Sequence, residues 1–143
     1  MANEAKINVS LQIKKGNITY ASQPSGFQAD VDSDPVLGPT PGAFEVSTQG
    51  TDADLSRLTA PGGLCRIQNL DEDNYVTWGA YDPVSTVFQP LGELLPGESY
   101  ILRLSRSLGD EYTGTGTGSD VNGTLRFRAD TDSCIVLVEA FDV

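Results

Sequence analysis

Residues 64–81 read LCRIQNLDEDNYVTWGAY, and two strands with the turn between them can be traced in that stretch. Leu64 to Asn69 is a short, largely apolar run entered through the turn formers Pro61-Gly62-Gly63. Asp71-Glu72-Asp73-Asn74 is a cluster of residues that favour turns, because their short polar side chains hydrogen-bond the nearby backbone. From position 75 the pattern alternates. Tyr75, Thr77, Gly79 and Tyr81 share one face, and Val76, Trp78 and Ala80 share the other, as the two-residue period of a strand requires.

Outward from this stretch the same grammar repeats. Asp82-Pro83 opens another turn, after which Val87-Phe88 is expected to pair back. Pro96-Gly97 carries the residue types of a type II turn and leads into Tyr100-Ile101-Leu102. Leu125, Phe127 and Ala129 alternate, and Cys134 to Phe141 closes the chain. The run Cys-Ile-Val-Leu-Val is apolar on both faces, which marks a strand deep in the core or one covered by a partner.

Toward the N-terminus, Ile7, Val9, Leu11 and Ile13 alternate with Asn8, Ser10 and Gln12. Gly16-Asn17 then supplies a tight hairpin before Ile18-Thr19-Tyr20. Phe27, Ala29 and Val31 alternate once more. Prolines 35, 39 and 41 with Gly38 and Gly42 argue for a loop over residues 32–43. Phe44 and Val46 mark a short strand. Residues 53–58 read equally well as a helical turn or a strand. Residues 113–119, Thr-Gly-Thr-Gly-Thr-Gly-Ser, offer little to pack and predict a flexible loop within 109–123.

No apolar stripe of helical period extends over ten residues or more. Eight or so short strands separated by turns predict an all-β fold, an antiparallel β-sandwich of jelly-roll-like kind, in a single domain covering 1–143. At 143 residues the chain can bury a substantial core without staples. Cys65 and Cys134 are too few for a disulfide framework. Each is followed two positions on by an apolar residue, so each points inward, a pattern that favours buried free thiols over a bridge.

The chemistry is read from what is missing as much as from what is present. The chain contains no histidine. This excludes Ser-His-Asp and Cys-His nucleophiles, imidazole bases and the usual zinc sites. No phosphate-cradling glycine motif precedes a helix, so no cofactor is expected. Asp30-x-Asp32-x-Asp34 opens like an EF-hand loop, but Pro35 stands where glycine is needed and Pro41 where the bidentate glutamate is needed. A cation site of another geometry stays open there, and Asp71-Glu72-Asp73 is a weaker candidate. A catalytic acid pair drawn from Glu93, Glu98, Asp110 and Glu111 is the remaining enzymatic reading. Acids in such positions are ordinarily solvated turn formers.

A formal charge of −11 repels phosphate, so neither nucleic acid nor an anionic membrane is an expected partner. No secretory signal opens the chain and no apolar stretch is long enough for a helical span, so folding in a cytoplasm is expected. Asn8, Asn17 and Asn122 begin N-x-S/T triplets, which carry no weight without such a signal. Trp78 is expected to fill the core between Val76 and Ala80. Tyr75 and Tyr81 then face outward and become contact candidates.

Two segments carry a resemblance. Residues 64–104, LCRIQNLDEDNYVTWGAYDPVSTVFQPLGELLPGESYILRL, and 124–141, TLRFRADTDSCIVLVEAF, combine a strand ending in an Asn-rich turn, an aromatic strand, a Pro-Gly-Glu turn and an apolar closing strand. The arrangement resembles the β-sandwich head-decoration or cement proteins of tailed bacteriophages and covers a little under half of the chain. The resemblance implies a non-enzymatic virion protein on the capsid surface, without catalytic residues. Its partners would be the major capsid protein and copies of itself, in a homo-oligomer. Ile7, Val9, Leu11 and Ile13 of the N-terminal strand, with Tyr75 and Tyr81, are the expected contact residues. The alternative is a carbohydrate- or receptor-binding sandwich from a fibre or adhesin.

Overall fold

Strand periodicity in the sequence becomes antiparallel pairing in the computed structural model, which describes residues 5–23, 27–29, 40–57, 63–105 and 124–141. These residues belong to two compact units, 5–29 and 40–141. No helix occurs among the described residues. Asp30, Asp32 and Asp34, Asp110 and Glu111, the Thr-Gly repeat and the N-x-S/T triplet at Asn122 lie outside them, wholly or in part.

In the smaller unit β1 (Ala5–Ile7) pairs with β4 (Phe27–Ala29), and β2 (Leu11–Lys15) with β3 (Ile18–Ser22). Lys15 pairs with Ile18, which leaves a two-residue turn at Gly16-Asn17. Gly16 has φ of 57°, a conformation that suits glycine at the first central position of a type II′ turn. The hairpin expected here is present, although the ladder is interrupted between Ile7 and Leu11.

The larger unit holds two four-stranded sheets. One has the order β10 (Ser99–Leu104), β7 (Gly63–Asn69), β12 (Cys134–Phe141), β5 (Thr40–Val46), and is called the β7 sheet below. The other has the order β6 (Thr51–Asp52), β11 (Thr124–Ala129), β8 (Val76–Asp82), β9 (Val87–Leu94), and is called the β8 sheet. Their facing sides share one core. Val46, Cys65, Ile67, Val136 and Val138 come from the first, and Val76, Leu94, Leu125 and Phe127 from the second. Phe44 meets Phe127 edge to face across the sandwich, with ring centroids 5.9 Å apart. This is the predicted two-sheet antiparallel sandwich.

Trp78 lies on the core side with Val76 and Ala80, opposite Phe127 on β11 and Gly92 on β9. A Cβ at Gly92 would stand 2.9 Å from the indole Nε1, so glycine is what lets the ring lie flat there. That Nε1 is buried without a hydrogen-bond partner. Cys65 and Cys134 are both buried and free. Cys65 is level with Ala140, six residues along the same strand from Cys134, so the thiols are about 20 Å apart and beyond bridging. Burial pushes the Cys65 thiol up to about 12.

One expectation is corrected at a sheet edge. Residues 40–43 are not loop but the start of β5, with Pro41 inside the strand. The strand begun by Val87-Phe88, β9, runs through Pro90 to Leu94. Both are edge strands, where an absent N–H can face away from the sheet. In β9 the register slips by one residue at Leu91, opposite Trp78 and Gly79. Gly79 is required at that bulge, since a Cβ there would come within 1.9 Å of the Gln89 carbonyl oxygen.

Turns at the sheet ends are tied by side chains. Asn69, fully buried, donates from Nδ2 to the carbonyls of Asn74 and Leu94, and its Oδ1 accepts from the Asp71 N–H. Pro96-Gly97 makes the expected turn: Gly97 has φ of 76°, and the Glu98 N–H donates to the Leu95 carbonyl at 2.9 Å. Residues 53–57 contain no helix; Ala53 is buried and Asp54 caps a turn through the Ser56 N–H.

Candidate interaction surfaces

The expected contact residues come to lie in different settings. Leu11 and Ile13 of β2 pair with Ser22 and Tyr20 of β3, and Lys15 pairs with Ile18. Side chains directly opposite in a ladder share a face. Leu11, Ile13, Ile18 and Tyr20 therefore share one face, with Ser22 and Lys15 at its two ends, and each of the four is 49% to 67% exposed. Ile18 and Tyr20 were not singled out from sequence, although the tight turn fixes their register against Leu11 and Ile13. Val9 is exposed between β1 and β2, and Ile7 is half-buried opposite Phe27. Every lysine of the chain (Lys6, Lys14 and Lys15) lies between residues 5 and 29, and that span contains no acid. The hairpin is thus a cationic, apolar-faced element of an acidic chain.

Tyr75 and Tyr81 stand at opposite ends of β8 and do not form a joint patch. Tyr75 is exposed, and its hydroxyl is held above its ordinary pKa by a hydrogen bond with Asp130. Tyr81 is half-buried because the Arg126 guanidinium lies over its ring, 3.2 Å from the centroid. Asp52 anchors that guanidinium from β6, with Nε to Oδ1 at 2.5 Å and Nη2 to Oδ2 at 3.2 Å. Two residues along β11, on the same face, Arg128 covers Phe88 at 5.4 Å. The outer face of the β8 sheet thereby caps its own aromatic rings.

On the β7 sheet the outer face carries Leu64, Arg66 and Gln68 from β7, and Ile135, Leu137, Glu139 and Phe141 from β12. Arg66 Nε donates to Glu139 Oε2 at 2.6 Å, and Arg66 Nη1 to Gln68 Oε1 at 3.0 Å. Ile101 and Ile135 stay 48% and 43% exposed. The predicted two-sided apolar character of residues 134–138 is real: Cys134, Val136 and Val138 are in the core, while Ile135 and Leu137 face out.

Of the acids considered for catalysis, Glu93 and Glu98 lie among the described residues. Glu98 accepts from the Tyr100 hydroxyl at 2.6 Å and the Leu95 N–H at 2.8 Å, which lowers its pKa. Glu93 is exposed on β9 opposite Thr77. Asp71 accepts from the N–H groups of Asn74 and Asp73, which hold its carboxyl below the usual range. An open cleft of about 350 Å³ lies beside it, lined by Asn69, Glu72, Pro96 and Gly97 among others. Among the described residues no three acidic or cysteine side chains gather into a metal-binding group, and no helix is long and apolar enough to cross a membrane.

The chain matches no protein-family model, no curated protein and no solved structure.

Proposed function

We propose that this chain is a non-enzymatic virion structural protein, a capsid cement or decoration subunit that bridges major capsid proteins and stabilises the shell they form. The observation that carries the reading is the N-terminal hairpin. A two-stranded ribbon is marginally stable by itself in water, and this one leaves the four large apolar side chains of one face exposed. Docking that face against a neighbouring protein removes Leu11, Ile13, Ile18 and Tyr20 from water and orders the ribbon in the same step. A specific contact of this kind buries over about 1,000 Å² in total. The absence of acids from residues 5–29 directs the hairpin to an acidic or neutral surface, which sets orientation and encounter rate more than affinity.

The resemblance of residues 64–104 and 124–141 to head-decoration proteins agrees with this reading. The alternative, a glycan- or receptor-binding module, has less support. Trp78 faces the core and Tyr81 is covered by Arg126, so neither offers the bare ring that stacks on a sugar.

The test uses shells assembled from the major capsid protein of the phage that encodes the chain. The wild-type protein is expected to sediment with the shells and to raise their thermal transition. Ile13→Asp with Tyr20→Asp is expected to weaken binding tenfold or more while leaving the sandwich folded. Wild-type protein that neither binds nor stabilises the shells would overturn the proposal, and specific binding on a glycan array would replace it with the alternative.

A further inference from the structure

We propose that two copies of this chain associate face to face through the outer surface of the β7 sheet, about a two-fold axis running parallel to the strands between β7 and β12. The surface is organised as four rungs across those strands: Leu64 with Phe141, Arg66 with Glu139, Gln68 with Leu137, and Leu70 with Ile135. Three of the four carry apolar side chains, and Leu70 and Ile135 are 44% and 43% exposed.

Charge selects the second copy as the occupant and fixes the axis. A two-fold parallel to the strands lays each rung on its own reverse. Arg66 of one copy then faces Glu139 of the other, and each carboxylate lies between two guanidinium groups. The apolar rungs meet in the same crossed fashion, Leu70 on Ile135 and Leu64 on Phe141. An axis running across the strands would instead bring like charges together, which costs binding. Such a surface is self-complementary in the sense that an isologous dimer requires. Two twisted sheets stacked in this way lie within about 30° of alignment.

The area is adequate. Four strands at about 4.8 Å spacing and seven residues at about 3.4 Å give a flat footprint of about 450 Å² per copy. Side-chain relief brings the total for two copies to about 1,000 Å², the size at which specific interfaces begin. Ile101 on β10 and Pro41 on β5 extend the Arg66–Glu139 rung at either end and meet each other across the axis.

The dimer deepens the assembly reading and rests on it only for the expectation that copies of the chain meet. Failure to bind capsid shells would leave the dimer standing, and a monomer that binds shells would remove the dimer alone. The experiment is light scattering on the full chain and on two charge variants. Wild type is expected to be dimeric. Arg66→Glu places four carboxylates at the centre of the interface and Glu139→Arg four guanidinium groups, so each variant alone is expected to be monomeric. An equimolar mixture of the two variants is expected to recover the dimer, a result that no purely structural role of the ion pair produces. A monomeric wild type, variants that remain dimeric, or folded variants whose mixture stays monomeric would overturn the proposal. Should either variant lose its strand spectrum in circular dichroism, Ile101→Lys, at an exposed edge position, is read in its place, and an undiminished dimer then counts against it.

Discussion

The outer faces of the two sheets are built on the same strand geometry and finished in opposite ways. On the β8 sheet Arg126 lies across Tyr81 while held by Asp52, and Arg128 lies across Phe88, so long cationic side chains close over the rings beneath them. On the β7 sheet the Arg66–Glu139 pair sits among aliphatic side chains that nothing described covers. The difference shows that burial on an outer face depends on what lies one or two strands away. Arginine beside tyrosine produces a finished surface, whereas arginine beside glutamate in a field of leucine and isoleucine produces one still open to contact.

The largest perturbation should come from beneath both faces. Phe127→Ala empties a fully buried site that touches both sheets through Phe44, and about 3–5 kcal/mol of stability is expected to be lost in urea denaturation. A single cooperative transition with that loss would tie the two faces to one core; two separate transitions would break the comparison. Gly79→Ala acts on the β8 sheet alone. Its new Cβ collides with the Gln89 carbonyl, and displacing the bulge is expected to cost about 2–3 kcal/mol.

The two ion pairs provide the direct contrast. Arg126→Ala removes a partly buried guanidinium from both Asp52 and the Tyr81 ring and is expected to cost about 1–2 kcal/mol. Arg66→Ala breaks a more exposed pair, and the stability of the isolated chain should fall by less than about 1 kcal/mol. Equal losses in thermal denaturation would mean that the β8 face is no more finished than the other.

Acid sensitivity should arise at the turns instead of the faces. The carboxyls of Asp71, Asp82 and Glu98 are lowered by hydrogen bonds from Asn74 and Asp73, from Ser85 and Val84, and from Tyr100 and Leu95, respectively. A group whose folded pKa lies below its unfolded value contributes stability above the unfolded value and loses it as pH falls through the folded one. The thermal midpoint is therefore expected to change little between about pH 7 and 5 and to drop below about pH 4. Asp71→Asn should flatten that drop. The smallest effect expected is a gain. Thr86 has φ of 56°, unfavourable for a β-branched residue, and Thr86→Gly is expected to stabilise by at most about 1 kcal/mol.

Much of the sandwich was legible because alternation and turn chemistry are local. The strands around Leu64, Val76, Leu125 and Cys134, the Gly16-Asn17 hairpin and the Pro96-Gly97 turn all follow from neighbours within a few residues. Thr51–Asp52 was not legible, since two residues carry no period. Pro41 misled because proline is hostile to a central strand yet tolerated at an edge, and edge status depends on the global strand order. The surfaces were half legible. The alternating 7–13 segment pointed to an apolar hairpin face, and residues 134–138 declared apolar character on both sides. That Tyr81 would be capped could not be read, because Arg126 and Asp52 are brought together across 74 positions of sequence.

The edge prolines have a consequence for how copies of this chain can accumulate. Growth by strand addition needs a border whose backbone N–H and C=O groups are free to pair. Pro41 interrupts β5, at one border of the first sheet, and Pro90 with the Leu91 slip interrupts β9, at one border of the second. Those two borders are poor acceptors for an incoming strand, so within the larger unit backbone pairing with another chain is left to β10 and β6.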